Sequence, residues 1–142
     1  MITVNRTLTT SRPRREVFDY LADFTTVAEW DPGIVSSQRT SGDGGVGTEY
    51  AVTATFSGRE IPMTYEVLEH AAPERIVLRG VGKAVDAVDT ITFAESDAGT
   101  EVTYRAEFRL KGVMRFASPF LGGVFRRLGD AAIAGMDEAV NG

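Results

Sequence analysis

Residues 91–112 read ITFAESDAGTEVTYRAEFRLKG, and the period of this stretch sets the architecture of the chain. Ile91 and Phe93 alternate with polar neighbours, Asp97-Ala98-Gly99 turns the chain, and Val102, Tyr104, Ala106, Phe108 and Leu110 alternate again. A period of two marks a strand with one buried face, and a short glycine-containing turn between two such strands makes an antiparallel hairpin. After Gly112 the period changes. Val113, Phe116, Phe120, Val124, Leu128, Ala131, Ala132 and Met136 form one apolar stripe, while Arg126, Arg127, Asp130 and Glu138 lie elsewhere. That spacing predicts a long amphipathic helix, and Pro119 with Gly122-Gly123 predicts a kinked or delayed start to it.

Upstream, the period of two continues. Tyr50, Val52, Ala54 and Phe56 share one face of TEYAVTATFSG; Ser57-Gly58-Arg59 turns the chain; Ile61, Met63, Tyr65 and Val67 share a face of EIPMTYEVLEH. Ala71-Ala72-Pro73 separates this strand from ERIVLRGVG, and VDAVDTITFAES follows. With IVSSQRTSG ahead of the glycine-rich turn GDGGVG, six strands joined by short turns predict an antiparallel meander. At the front, ITVNRTLT is another strand. Ser11 is placed to cap a helix opening at Arg12-Pro13, in which Val17, Phe18, Leu21 and Phe24 recur at helical spacing. TVAEW reads as a second short helix, ended by Asp31-Pro32-Gly33.

The predicted class is therefore α+β: a seven-stranded curved antiparallel sheet around a long C-terminal helix, with two short helices between strands 1 and 2. At 142 residues, a single domain over 1–142 is expected. A sheet curved around one helix tends to enclose a space, and such apolar spaces are typical small-molecule sites.

The net charge of −5 argues against nucleic acid and anionic lipid surfaces as partners. The absence of cysteine removes disulfides, thiolate nucleophiles and Cys-ligated zinc, and one histidine offers no metal-ligand spacing. Neither a metal nor a cofactor is expected. MITVNRTLTTSRPRR lacks the apolar core of a signal peptide, and no apolar run approaches the roughly 18 residues of a membrane span. A cytoplasmic protein with no membrane insertion is expected. GDGGVG leads into a strand, so no helix N-terminus awaits a phosphate there.

Several features together resemble a known family. SRPRREVFDYLADF and VAEWDPGI at the front, GVGTEY entering a strand, YEVLEHAAPERIVLRG in the middle and ITFAESDAGTEVTYRAEF before the helix are similar to the START and birch-pollen-allergen (SRPBCC) superfamily. The narrower likeness is to the bacterial polyketide cyclase/dehydrase and lipid-transport group. It covers nearly all of the chain and implies the helix-grip fold. It also implies a hydrophobic ligand (a lipid, polyketide or aromatic metabolite), held by a carrier or sensor or folded by a cyclase, aromatase or dehydratase. An antitoxin-like interaction protein with a filled core is a third possibility in the group. The partners expected are a small molecule and, at most, a second copy of the chain. No catalytic motif common to the group carries over.

Candidate residues follow from the strand faces. Asp86 and Asp89 lie three apart and so face opposite sides, and Asp89 shares the inward face of Ile91 and Phe93. An inward carboxylate in an apolar cavity acquires a raised pKa and an acid or orienting role; the alternative is an ion pair with Arg79 or Arg105. Asp89 is the best catalytic candidate. Tyr65 and Tyr104 bring hydroxyls to the apolar face, either to meet a ligand or to find a core partner. Tyr50, Phe56, Met63 and Phe108 read as lining or as core, with Phe120 and Val124 opposite them on the helix. Trp30, set against the Asp-Pro-Gly stop, reads as a plug for one end of the core that also walls the mouth. His70 beside Glu69 reads as a surface loop residue, because neighbours on a strand point apart.

Overall fold

The computed structural model describes residues 1–142. Strand β1 (Ile2–Thr10) leads into helix α1 (Arg14–Ala22), a 3-10 turn over Phe24–Thr26 and the one-turn helix α2 (Val27–Trp30). Six strands follow: β2 (Ile34–Ser41), β3 (Glu49–Phe56), β4 (Arg59–Ala71), β5 (Arg75–Gly82), β6 (Val85–Ser96) and β7 (Gly99–Leu110). A second 3-10 turn over Gly112–Ala117 precedes helix α3 (Ser118–Asn141). All seven strands form one antiparallel sheet in the order β1-β7-β6-β5-β4-β3-β2. The meander is thus closed at its far edge by the N-terminal strand, which pairs with β7 along its whole length from Ile2–Phe108 to Thr10–Thr100. No helix is long and apolar enough to cross a membrane.

The alternating faces do what their sequence requires. Met63, Tyr65 and Val67 of β4, Ala87, Asp89, Ile91 and Phe93 of β6, and Val102, Tyr104 and Ala106 of β7 all point inward and are buried. α1 contributes Val17, Phe18 and Leu21 to the same core, and Phe18 meets Phe93 edge-on with ring centroids 5.1 Å apart.

Two details differ from the sequence reading. Helix α1 starts at Arg14 with Pro13 as its N-cap residue and no side-chain cap, so Ser11 does not cap it. The Pro13 carbonyl accepts from Val17 N at 3.1 Å, while Arg12 donates from Nε to the Val140 carbonyl (2.6 Å) and from Nη1 to Glu16 (2.8 Å). The arginine ties the helix start to the end of α3, where a serine hydroxyl was expected to do the work.

The second difference is the phase of α3. Its start is delayed to Ser118, as Pro119 foretold, but its buried stripe is Phe125, Gly129, Ala132, Met136 and Val140. Val113, Phe116 and Phe120 are 83%, 70% and 83% exposed, and Ala131 also faces solvent. Val113 and Phe116 fall in the 3-10 turn before α3, and Gly129 sits within the buried stripe. A Cβ there would overlap the Val4 side chain, so α3 crosses β1 on a residue with no hydrophobicity of its own. A stripe drawn through apolar residues alone is rotated away from it. Gly135 plays a similar part, since a Cβ there would overlap the Trp30 carbonyl oxygen.

Candidate functional site

Between the sheet and the first half of α3 lies a cavity of about 520 Å³, and 17 of its 25 lining residues are hydrophobic. Its mouth is marked by the exposed Ser57, Arg59 and Glu60 at the β3–β4 turn, by Ala84 and Val85 where β6 begins, by Leu110 at the end of β7 and by Met114 in the 3-10 turn that follows. Phe125 reaches down from α3 to stack against Phe56 (5.4 Å) and to tilt against Phe108 (4.6 Å). These rings come from opposite arms of the wrapped sheet, so Phe125 is where helix and both arms meet.

The inner end of the cavity is polar. Asp89 lies four residues in from Val85, about 13 Å along an extended strand. Around it the cavity wall carries Asp31, Tyr65 and Tyr104. Asp89, Tyr65 and Tyr104 are only 6%, 5% and 4% exposed, and no hydrogen bond within the protein contributes to the state of any of the three. Tyr65 owes its place to Gly80, its cross-strand partner on β5. A Cβ on Gly80 would overlap the Tyr65 ring, so the bare glycine lets the ring lie flat over β5. Tyr104 is held by Trp30, which meets it edge-on at 6.0 Å.

Asp31 is positioned by the turn that ends α2. Its backbone N donates to the Val27 carbonyl (2.8 Å), and its Oδ1 accepts from Gly33 N (2.9 Å). The Gly33 carbonyl in turn accepts from Thr55 N at 2.8 Å, anchoring the turn to β3. The Asp-Pro-Gly stop therefore carries a carboxylate to the cavity wall on a fixed backbone.

Burial dominates the electrostatics. It pushes Asp89 up to about 8, with the nearby charge of Asp31 adding to the effect. Asp31 is pushed up to about 6, again by burial, against the opposing pull of the Gly33 N–H. Tyr65 and Tyr104 are raised by burial and then by the two carboxylates. The two carboxyls are thus set apart, with Asp89 the more strongly biased towards its protonated form. Such a split provides an acid and a base in one place.

The alternative ion pair for Asp89 is absent, because Arg79 faces Glu66 (3.8 Å) and Arg105 faces Glu107 (3.5 Å). Asp86 points the other way, to Arg109 (3.1 Å) and Lys111 (2.7 Å). Burial works against its ionisation, yet these two cations outweigh burial and hold it below the usual carboxylate range.

Of the sequence candidates, Phe56, Met63, Tyr65, Asp89, Tyr104 and Phe108 line the cavity. Trp30 does not: it is 2% exposed, packed behind Tyr104, and its Nε1 is buried without a partner. It plugs the core and does not wall the mouth. Tyr50 packs on Phe24 (5.8 Å) outside the cavity, Val124 is half-buried beside the wall, and Phe120 faces solvent. His70 is exposed, as expected, but on strand β4 with its ring edge on Phe18 (5.3 Å), not in a loop. Asp31 was read only as a helix stop, and its membership of the site was missed. The available signal was its position: an acid directly after a buried tryptophan lies beside whatever that tryptophan packs against. No group of three or more His, Cys, Asp or Glu side chains gathers anywhere as a metal set.

A curved seven-stranded sheet gripping one long helix over an apolar cavity defines the helix-grip class. The chain belongs to the polyketide cyclase/dehydrase and lipid-transport family, whose model matches residues 1–141. Solved structures share the fold. The Zhui aromatase/cyclase from Streptomyces sp. R1128 superposes with a TM-score of 0.81 at 16% identity, over 97% of this chain and 92% of that one. A START superfamily protein from Mycobacterium smegmatis gives 0.81 at 11% identity, over 97% and 96%. TTHA0849 from Thermus thermophilus gives 0.79 at 15% identity, over 98% and 95%. No curated protein matches the chain.

Proposed function

We propose that this chain is a cytoplasmic single-domain binder of an apolar small molecule, a lipid, polyketide or aromatic metabolite, acting as carrier or sensor. The observation that carries this reading is the cavity, whose volume of about 520 Å³ falls within the range of ligand sites and whose wall is mostly apolar. Phe56, Met63 and Phe108 supply contact area along its length, and Tyr65, Asp89, Tyr104 and Asp31 orient the ligand at its inner end. A filled interaction module has no use for such a void. Native mass spectrometry of freshly purified protein should show a co-purified small molecule. Ala87→Phe, which fills the cavity from the floor of β6, should abolish it. Equal ligand masses in both proteins, or none in either together with no thermal shift across lipids and aromatic polyketides, would sink this reading.

A second reading, a cyclase, aromatase or dehydratase in the same cavity, is favoured by the Asp31–Asp89 pair. Its two pKa values are split around neutrality, and Asp89 is the proton-transfer candidate. Asp89→Asn that keeps binding of a neutral polyketide but loses its turnover puts the chain among enzymes. Unchanged turnover removes Asp89 from that role.

A further inference from the structure

The inner end of the cavity holds two carboxyl groups and two phenol hydroxyls and no cationic side chain. Asp31 comes from the turn after α2, Asp89 from β6, Tyr65 from β4 and Tyr104 from β7. The one basic side chain on the cavity wall is Arg59, exposed on the β3–β4 turn at the mouth, with Glu60 beside it. The cations nearest along the strands are held elsewhere, Arg109 and Lys111 by Asp86, Arg79 by Glu66 and Arg105 by Glu107. Polar side chains as buried as Asp89, Tyr65 and Tyr104 normally have partners; these three have none and all line the void.

We propose that the ligand is an apolar amine, whose ammonium sits between Asp31 and Asp89 while its hydrocarbon or aromatic body fills the cavity towards Phe56 and Phe108. This rests on the cavity being a ligand site and adds the chemistry of the head group. An ammonium has three donors and no acceptor, which suits two carboxylates and the phenol oxygens around them. A neutral carbonyl or hydroxyl can accept from the Tyr65 and Tyr104 hydroxyls or from a protonated Asp89, but leaves the ionised carboxylate uncompensated. A fatty-acid carboxylate is the worst fit, since it brings a third negative group to a site with no cation. An amphiphile with an anionic head could instead lie reversed, with that head at Arg59, and the comparison below exposes that case.

The test uses three probes sharing one body: 4-phenylbutylamine, 4-phenylbutanol and 4-phenylbutyrate, titrated calorimetrically into the full chain near pH 8. The amine should bind about tenfold or more tighter than the alcohol, and the acid weakest of the three. Asp89→Asn and Asp31→Asn should each cost the amine about tenfold while leaving the alcohol within about twofold. Both variants remove a buried charge and keep an oxygen acceptor, so both should fold, and a thermal melt checks this. Amine affinity should also rise between about pH 5 and about pH 8, as the carboxyls ionise while the ammonium stays charged, with the alcohol flat. Equal binding of amine and alcohol, or tightest binding of the acid, overturns the head-group assignment and leaves the cavity site standing. If none of the three binds and none shifts the melt, both fall together.

Discussion

Strand β6 runs through two regions that obey one pattern and end in opposite states. Its second half, Ile91 and Phe93, is set against α1 in the cluster that also holds Trp30 and Met136, and every inward side chain there is covered by others. Its first half, Val85, Ala87 and Asp89, faces the cavity. The alternation is the same in both halves, so alternation alone decides which side is inward and leaves open what lies opposite. The filled half has α1 and α2 as well as α3 over the sheet. The hollow half lacks α1: it is walled by Phe125, Leu128 and Gly129 of α3, by Val27 of α2, and by Phe24 and Asp31 on either side of α2. Where α1 packs on the sheet there is core, and where it is absent the sheet's open end leaves a site.

The sharpest way to break this comparison is to truncate one aromatic in each half. Trp30→Ala in the filled half should lose about 3–5 kcal/mol in urea unfolding, from lost transfer energy plus the cavity left beside the Tyr104 ring. Phe56→Ala in the hollow half should lose about 1 kcal/mol, since its ring is half-buried against a void that already exists. A loss at Phe56 equal to that at Trp30 would mean that the two halves are packed alike.

Asp89 gives an effect of comparable size, with the opposite sign. Its carboxyl is raised to about 8 in the folded chain, above the ordinary carboxylate value near 3.8. The folded state therefore binds the proton more tightly than the unfolded state does. That contribution is fully present below about pH 4 and is lost as pH rises towards about 8. Asp89→Asn removes the penalty, so the variant should exceed the parent by on the order of 5 kcal/mol at pH 8 and match it near pH 4. Asp31, raised to about 6, adds a smaller slope of the same sign over the lower part of that range. A flat difference across the whole range would show that water already solvates the Asp89 carboxylate, and the hollow half would then be wet at its inner end.

How much of this was legible beforehand follows from which residues carry a periodic signal. Tyr65, Asp89, Tyr104 and Phe108 sit on alternating strands, so their inward direction could be read directly, and β6 showed an acid where an apolar residue belonged. The sheet order needed only the antiparallel turns and the N-terminal strand. Residues that act through backbone geometry were hidden. Asp31 looked like punctuation because Pro32 and Gly33 follow it, although its carboxyl, held by Gly33 N, stands on the cavity wall. Gly129 falls outside the apolar stripe, although α3 passes β1 there so tightly that a Cβ would overlap the Val4 side chain. Glycine and turn residues carry no hydrophobicity, so periodicity passes over them.

The helix phase yields the smallest expected effect and the cleanest contrast within one element. A stripe drawn through apolar residues puts Phe120 on the buried face, yet its ring is 83% exposed, while Phe125 is 3% exposed between Phe56 and Phe108. Phe120→Ser should therefore change stability by no more than about 0.5 kcal/mol, as exposed substitutions do. Ligand affinity should stay unchanged, because nothing at position 120 reaches the cavity. A loss of more than about 1 kcal/mol would return Phe120 to the interior and rotate α3 towards the apolar-only stripe. That rotation would swing Phe125 out from between the two arms of the sheet. The hollow half would then lose the one side chain that joins both of its walls to the helix, and with it the cavity as described.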